Sequence, residues 1–187
     1  MVYIDDQING FDLEKALAEI SEERREQALR FKHELGRRQC VLAYLLLKRA
    51  LRKEYGIIEN PAFTYGEHGK PLLVDHPNIH FNLSHCREAV ACVLSDKPVG
   101  IDVESIHRYK ESLVRFTMNE QEQQTIREAD DPALAFTRLW TMKEARLKLS
   151  GEGIGHGMAT VLDDPAVDYE TVVSVDSRYV YSVASYR

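Results

Sequence analysis

The sequence predicts an α+β protein, in which helices and antiparallel hairpins are grouped together within each half of the chain. Three observations support this fold class. Apolar residues recur with helical period over Cys40–Leu51, a second long helical segment follows Pro132, and the strand-like segments come in neighbouring pairs. The 187 residues suffice for one large domain or for two small ones that share a core.

The N-terminal half opens with a predicted strand at Val2–Ile4 and a brief helix at Asp12–Glu19. Ser21 is a suitable N-cap for the next helix, which we expect to run to about His33. The apolar stripe then predicts a longer helix that ends at Gly56. Beyond it, strands are predicted at Phe63–Tyr65, Ile79–Ser84 and Ala89–Leu94, with a turn at Gly66–Pro71.

The C-terminal half begins with a predicted strand at Val99–Glu104 and then becomes helical. Asn119 can cap a short helix. Pro132 suits the first turn of a longer helix, which runs to about Leu149 and is followed by Gly151. Two further strands, in which apolar and polar residues alternate, are predicted at Glu170–Val175 and Arg178–Ala184.

Basic residues are concentrated between Ser21 and Lys53, although the whole chain carries a net charge of −6. The overall negative charge argues against nucleic-acid binding. A locally basic region on an acidic chain suits a phosphorylated small molecule or an acidic protein partner. The alternative is that these side chains form the solvated faces of two helices.

Several features predict a cytoplasmic protein that has no contact with a membrane. No apolar run approaches the length that crosses a bilayer, and the first residues do not resemble a signal peptide. The cysteines are odd in number and show no CxxC spacing, which predicts neither a disulfide framework nor a zinc site. A reducing compartment, the cytoplasm, is therefore the expected location.

The predicted strand Val99–Glu104 carries two carboxylates on one face. Because side chains alternate along a strand, Ile101 and Val103 are expected to face the core. Asp102 and Glu104 then share the opposite face, about 7 Å apart. Carboxylates held in this way repel each other unless a cation lies between them, and Mg²⁺ is the typical cation where phosphates are handled. The alternative is an ordinary polar outer face of a strand.

The predicted helix that follows Pro132 carries a second group of functional residue types. Trp140, Glu144 and Lys148 are spaced at i, i+4 and i+8 and therefore fall on one stripe. In the functional interpretation, Glu144 is a third carboxylate for the metal and Lys148 offers positive charge to a phosphate oxygen. In the alternative, Glu144 and Lys148 form a surface ion pair worth roughly a few tenths of a kcal/mol.

Ser84 and His85 are adjacent at the end of a predicted strand, which invites comparison with a hydrolase. Adjacent strand residues point to opposite faces, so His85 is poorly placed to activate Ser84, and no GxSxG motif surrounds the serine. The segment can instead present a hydroxyl, an imidazole and backbone N–H groups to a phosphate. The alternative is a polar loop.

The order of these segments resembles the signature of the 4′-phosphopantetheinyl transferases. The strand with two carboxylates and the helix with Glu144, at this separation, are the most specific part of the resemblance. The basic segment Ser21–Phe31 is similar to the N-terminal part of the larger, surfactin-synthetase-activator-like branch, and the resemblance covers most of Ser21–Gly155. In chain order, the matching segments are Gly69–Pro71, Phe81–His85, Gly100–Glu104 and Trp140–Lys148.

The resemblance implies a monomer of two similar α+β halves related by a pseudo-twofold axis, with coenzyme A between them. Residues 1–97 would contact the nucleotide and 3′-phosphate of coenzyme A, and residues 98–187 would carry the magnesium site and the catalytic helix. The implied enzyme, of the holo-acyl-carrier-protein synthase type, transfers 4′-phosphopantetheine from coenzyme A to a serine of an apo acyl or peptidyl carrier protein. Adenosine 3′,5′-bisphosphate is released, and the product serves fatty-acid, polyketide or nonribosomal-peptide synthesis.

The resemblance also implies a role for each matching residue. Asp102, Glu104 and Glu144 would be ligands of Mg²⁺, and the same oxygen ligands accept Mn²⁺. Glu144, Glu120 and a metal-bound water are the candidate general bases for the carrier serine, and Lys148 would steady the pyrophosphate and the leaving group. Contacts with the nucleotide and its phosphates are implied for Lys70, Ser84 and His85, and contacts with the 3′-phosphate for Arg24 and Arg38.

Two other functions stay open on the sequence alone. One is a catalytically idle carrier-binding module descended from a transferase, which would be expected to lose a ligand carboxylate or the lysine. The other is a different magnesium-dependent enzyme that cleaves a phosphoanhydride and ignores carrier protein. The presence of Asp102, Glu104, Glu144 and Lys148 favours an active transferase over the idle module.

Overall fold

A computed structural model describes residues 1–66, 68–107, 109–151 and 157–187. These residues form mixed helices and antiparallel strands, which confirms the predicted α+β class. In chain order the elements are β1 (Val2–Asp5), α1 (Leu13–Glu19), α2 (Glu22–Leu29), α3 (Glu34–Tyr55), β2 (Phe63–Tyr65), β3 (Pro71–Leu73), β4 (His80–His85), β5 (Val90–Ser95), β6 (Val99–Ser105), α4 (Glu111–Thr117), α5 (Glu120–Glu128), α6 (Pro132–Ser150), a 3-10 helix (Met158–Thr160), β7 (Val167–Val173) and β8 (Tyr179–Tyr186).

The first sheet has the strand order β1-β5-β4 and packs against α3. The apolar stripe predicted for α3 forms its buried face, and Leu46, Leu47 and Leu51 pack there with Phe81 of β4. Gly56 ends the helix at a φ of 71°, in the left-handed region that favours glycine. The hairpin of β2 and β3 lies beside this core, with Phe63 opposite Leu73.

The second sheet has the strand order β6-β8-β7, and α6 packs along β6 and β8. The close approach depends on Gly100. A Cβ at this position would lie 2.1 Å from the carbonyl oxygen of Ala145 and 2.5 Å from the amide nitrogen of Leu149. Because both are backbone atoms of α6, only glycine allows the helix to rest directly on the strand.

The two sheets meet edge to edge. β4 is an edge strand of the first sheet, β6 is an edge strand of the second, and they lie side by side without forming one backbone ladder. We call this line of contact between β4 and β6 the seam. The division into halves at residues 97 and 98, and the pseudo-twofold axis, stay predictions.

Most predicted elements are confirmed, and the differences have local causes. The helix capped by Ser21 ends at Leu29 rather than near His33, where a separate helix, α3, begins. α4 was not predicted, since the residue before it provides no side-chain cap. The predicted turn at Gly66–Pro71 includes Glu67, which lies outside the described residues, and Pro71 already belongs to β3. None of the helices in the described part of the chain has the length and apolar character that a membrane span requires.

Candidate active site

Asp102 lies in the middle of β6 and is only 3% exposed. Ile101 and Val103 on either side of it point into a buried apolar cluster, as the alternation predicts. The face that carries Asp102 is covered by α6 and bordered by β4. Asp102 therefore does not lie on a solvated outer face, and its carboxylate needs positive or hydrogen-bonding partners.

Lys148 provides one of these partners. Its ammonium Nζ lies 2.6 Å from Oδ1 of Asp102 and donates to Oγ of Ser84 at 2.8 Å. The Ser84 hydroxyl in turn donates to the same Asp102 oxygen at 2.9 Å. Side chains of α6 and β4 thus meet at the Asp102 carboxylate of β6. Lys148 forms its ion pair with Asp102, and not with Glu144 as in the alternative interpretation of the helix.

Glu144 and Glu104 lie close enough to Asp102 to respond to its charge. Burial, reinforced by Asp102 and Glu104, raises the pKa of Glu144 to about 7, although Lys148 opposes this effect. Burial and Asp102 also raise the pKa of Glu104, while a hydrogen bond from Trp140 lowers it. Asp102 therefore raises the pKa of both other predicted metal ligands.

Trp140 both packs and supports this group. Its ring stacks on Phe136, with centroids 6.0 Å apart and an angle of 21° between the planes. Its indole N–H acts on the nearby Glu104 carboxyl and lowers the pKa of that group. Trp140 therefore packs against its own helix and also lies beside a predicted metal ligand.

The donor set suits a hard divalent cation. In the part of the chain that the structure describes, Oδ2 of Asp102 and Oε1 of Glu144 are buried and have no hydrogen-bond partner. Buried carboxylate oxygens without partners are costly, and Mg²⁺ binds such oxygens. Within the same described residues, no three acidic, cysteine or histidine side chains converge closely enough to form a complete site, and Lys148 is the cation that contacts Asp102.

A cavity of about 290 Å³ opens beside these residues. Glu144 and Lys148 form one side of it, and residues from the N-terminal sheet and hairpin form the other. The remaining lining includes His68, Gly69, Lys70, Pro71, Asn82, Leu83, Leu147 and Gly151. A polar ligand in this cavity would contact both halves of the chain and lie next to the carboxylates.

Lys70 lines this cavity, but its ammonium also has structural partners. It donates to the carbonyl oxygens of Lys148 at 2.7 Å, Leu149 at 3.1 Å and Val99 at 3.3 Å. The first two bonds satisfy carbonyls in the last turn of α6, which have no partner within the helix, and the third joins Lys70 to the start of β6. Burial lowers the pKa of Lys70. The predicted nucleotide contact of Lys70 stays a prediction.

His85 ends β4 and is exposed, whereas the neighbouring Ser84 is buried at the seam. The two side chains thus point to opposite faces, as the sequence predicts. Partial desolvation and the nearby Lys148 ammonium lower the pKa of His85. A neutral imidazole can still donate one hydrogen bond to a phosphate oxygen.

Arg24 and Arg38, the predicted 3′-phosphate contacts, lie on α2 and α3. The Arg24 guanidinium lies 5.3 Å from the ring centroids of both Tyr44 and Phe63. Arg38 pairs with Glu34 at 2.8 Å and donates to a backbone carbonyl. Both guanidinium groups are therefore held in place by neighbours, and their contact with a ligand stays a prediction.

Glu120, the second candidate base, is exposed at the start of α5. Two residues further along, Glu122 points inward and accepts from the fully buried Lys143 at 2.9 Å. Glu122 also closes a capping box with Asn119. Neither residue of this buried pair was predicted from the sequence, although the Asn-x-x-Glu spacing is a known signal for a capping glutamate.

The fold and the site together are those of a protein that handles a phosphorylated ligand beside buried carboxylates and a lysine. A family model described as the 4′-phosphopantetheinyl transferase superfamily matches residues 98–178. A 4′-phosphopantetheinyl transferase of Bacillus subtilis is 30% identical over 158 residues, which cover 82% of this chain and 70% of the relative. The chain belongs to the 4′-phosphopantetheinyl transferase family.

Other relatives place the chain near one branch of this family. The 4′-phosphopantetheinyl transferase Sfp of Bacillus subtilis strain 168 is 29% identical over 156 residues, or 82% of this chain and 70% of the relative. The 4′-phosphopantetheinyl transferase gsp of Aneurinibacillus migulanus is 33% identical over 138 residues, which cover 72% of this chain and 57% of the relative. The resemblance to the larger branch is thereby confirmed.

Proposed function

We propose that this protein transfers the 4′-phosphopantetheine group of coenzyme A to a serine of an apo acyl or peptidyl carrier protein. The observation that carries this proposal is the contact between Lys148 and Asp102, next to Glu144 and at the edge of a cavity shared by both halves. Membership of the transferase family supports the reaction. The sequence suggested the holo-acyl-carrier-protein synthase type, but the named relatives favour the Sfp type.

The reaction forms a bond between the serine oxygen and the phosphorus next to pantetheine, and breaks the phosphoanhydride bond to the nucleotide. Negative charge develops on the bridging oxygen as adenosine 3′,5′-bisphosphate leaves. Lys148 is suited to neutralise this charge, because it is a cation held at the cavity wall by Ser84 and Asp102.

Asp102, Glu104 and Glu144 would hold the divalent cation, Mg²⁺ or Mn²⁺. When bound, such a cation polarises phosphoryl oxygens and offsets their charge. The two buried carboxylate oxygens without partners, one on Asp102 and one on Glu144, support this assignment. Trp140, whose indole lowers the pKa of Glu104, would help to keep this carboxylate charged.

Glu144, Glu120 and a metal-bound water stay the candidate general bases for the serine proton. The pKa of Glu144 is about 7 in the metal-free protein, and a bound cation would lower it and weaken Glu144 as a base. Glu120 stays a weaker candidate, because its side chain is exposed on α5. Residues 1–97 are proposed to bind the nucleotide, with Lys70, Ser84, His85, Arg24 and Arg38 as contacts, and residues 98–187 to carry the catalytic group.

The carrier partner, the monomeric state and the cytoplasmic location belong to the same proposal. Acidic helical carriers would be drawn to basic side chains near the cavity. The cysteines Cys40, Cys86 and Cys92 are buried and free, which is consistent with a reducing compartment.

The test is intact-protein mass spectrometry of an apo acyl carrier protein incubated with this protein, coenzyme A and Mg²⁺. A gain of one phosphopantetheine mass that EDTA prevents is the expected result. Peptidyl carriers are the second substrates to try. Absence of transfer to every carrier would contradict the proposal and favour an idle carrier-binding module. Release of nucleotide without carrier modification would favour a phosphoanhydride-cleaving enzyme.

A further inference from the structure

Along the seam, amide groups of β6 are satisfied by side chains of β4. The N–H of Ile101 donates to Oδ1 of Asn82 at 2.9 Å, and the N–H of Val103 donates to Oγ of Ser84 at 3.2 Å. Both amides belong to fully buried residues, where an unpaired N–H is costly. Alternate side chains of β4 therefore take the place of a backbone partner for alternate amides of β6.

Asn82 and Ser84 differ in their other contacts. Ser84 also forms hydrogen bonds with Asp102 and Lys148 and is therefore part of the candidate active site. The carboxamide oxygen of Asn82 is bound, among the described residues, to the amide of Ile101. Asn82 is 6% exposed, so water has little access to this bond.

We propose that Asn82 is a positioning residue, which holds the backbone of β6 one residue before Asp102 and thereby fixes the Asp102 carboxylate beside Glu144. The positioning role rests on the proposed function. The hydrogen bond between Ile101 and Asn82 is present in the protein without ligand and can be measured there. β8 holds the other edge of β6, with Ser182 opposite Asp102. Loss of the Asn82 bond would release one of these two edges.

The chemistry of the position favours asparagine. The buried amide of Ile101 needs an acceptor, which an aliphatic side chain does not offer. An aspartate would accept the same hydrogen bond but would add a carboxylate to a site that already holds Asp102, Glu104 and Glu144. The carboxamide provides the acceptor without the charge.

Asn82 also lines the cavity, so a direct contact between its amide N–H groups and the ligand is the rival interpretation. The two interpretations differ in the protein without ligand. If Asn82 is a positioning residue, its replacement changes the affinity of the free protein for metal. If Asn82 is a ligand contact, its replacement changes only the KM for coenzyme A.

The first measurement is made on the wild-type chain by nuclear magnetic resonance. A coupling across the hydrogen bond between the amide nitrogen of Ile101 and the side-chain carbonyl carbon of Asn82 is expected, together with slow exchange of the Ile101 amide. Rapid exchange of this amide would overturn the proposal without the need for any variant.

The second measurement compares Asn82→Ala with Asn82→Asp. In Asn82→Ala, exchange of the Ile101 amide should rise about ten-fold or more, while the amide of Asp102, which faces β8, should change little. Binding of Mn²⁺ alone, followed by electron paramagnetic resonance, should weaken about 10- to 100-fold, as for other residues that orient a metal ligand. Asn82→Asp keeps the acceptor and should keep the Ile101 amide protected.

Three results would overturn the proposal. One is an unchanged affinity for Mn²⁺ in Asn82→Ala with a raised KM for coenzyme A, which would make Asn82 a ligand contact. Another is faster exchange throughout the chain, which would make it a general structural residue. The third is fast hydrogen exchange of the Ile101 amide in Asn82→Asp. None of these measurements requires carrier modification, so failure of the proposed function would be seen separately, as absent transfer by the wild-type protein.

Discussion

The ammonium of Lys148 lies 2.6 Å from Oδ1 of Asp102, across the interface between α6 and β6. Asp102 is nearly fully buried, whereas the side chain of Lys148 is 29% exposed and reaches the cavity wall. The lysine therefore neutralises a buried carboxylate while it remains accessible to a ligand. This arrangement makes Asp102 the residue whose loss should affect both charge balance and chemistry.

Replacement of Asp102 by asparagine should reduce transfer by about two orders of magnitude or more, because a metal ligand and the partner of Lys148 are lost together. The rate is measured by mass spectrometry of the carrier at limiting Mg²⁺, and the fold is checked by circular dichroism. Asp168→Asn is the matched control, since Asp168 is an exposed carboxylate on β7 paired with Arg187. Equal rates in the two variants would remove Asp102 from the metal site.

The metal-free protein should become less stable as pH rises from about 4.5 to about 7. The cause is Glu144, whose pKa is raised to about 7 by burial, Asp102 and Glu104 against the opposing effect of Lys148. A carboxyl group with a higher pKa in the folded state binds more protons there, so stability falls between the unfolded and folded values. Thermal melts in EDTA across this range measure the effect.

Glu144→Gln is the control for this pH dependence, because its side chain cannot titrate. The fall in melting temperature between pH 5 and pH 7.5 should be smaller in this variant than in the wild type. Saturating Mg²⁺ should also reduce the fall in the wild type, since a cation beside a carboxylate lowers its pKa. Identical pH profiles for both proteins in EDTA would contradict the assignment.

Replacement of Gly100 by alanine should destabilise the protein by about 1–3 kcal/mol or more, since the new Cβ would overlap backbone atoms of α6 that cannot rotate away. Urea unfolding measures the change. Gly56→Ala is a useful comparison: the φ of Gly56, 71°, is unfavourable for alanine, but no atom lies within 4 Å of the new Cβ. A larger loss at Gly56 than at Gly100 would argue against the close contact of α6 and β6.

Removal of the Glu122 carboxylate should cost about 3–5 kcal/mol, because Lys143 would be left as an uncompensated buried charge. Glu122→Ala is compared in urea unfolding with Glu120→Ala on the same helix, which should change stability by at most about 0.5 kcal/mol. If Glu120 is the general base, Glu120→Ala would strongly reduce kcat while stability stays nearly unchanged. Similar stabilities for the two variants would show that the Lys143–Glu122 pair contributes little.

Replacement of both Arg24 and Arg38 by methionine should raise the KM for coenzyme A roughly ten-fold or more, and much less for 3′-dephospho-coenzyme A. The comparison of two substrates separates a phosphate contact from general loss of structure, which would affect both equally. Arg25→Met is the control, since Arg25 is exposed and pairs with Glu22. Equal effects on the two substrates would exclude these arginines from the 3′-phosphate site.

The sequence predicts well those features that depend on local periodicity and capping. The long helix α6 begins with Pro132 and is followed by Gly151 at a φ of 82°, as expected. Asn119 caps α5 through a complete capping box. The alternation along β6 correctly places Ile101 in the core. These features are visible because neighbours in sequence determine them.

The features that sequence reasoning missed depend on contacts between distant segments. Lys70 resembles a phosphate-binding residue, yet its ammonium binds carbonyls of Lys148 and Leu149, 78 and 79 residues away. The hydrogen bond between Ile101 and Asn82 across the seam also depends on a contact between separate strands. Periodicity shows which face of β6 carries Asp102, but not that α6 covers this face.

The seam has a consequence for how copies of this chain behave in a crowded solution. An unpaired strand edge offers amide and carbonyl groups to strands of other molecules, which promotes aggregation. Here β4 and β6 shield each other within one chain. The outer strand β7 carries the exposed acidic residues Asp168 and Glu170, which repel a second copy. The pairing that assembles the site thus also keeps these two strand edges from pairing with strands of other molecules.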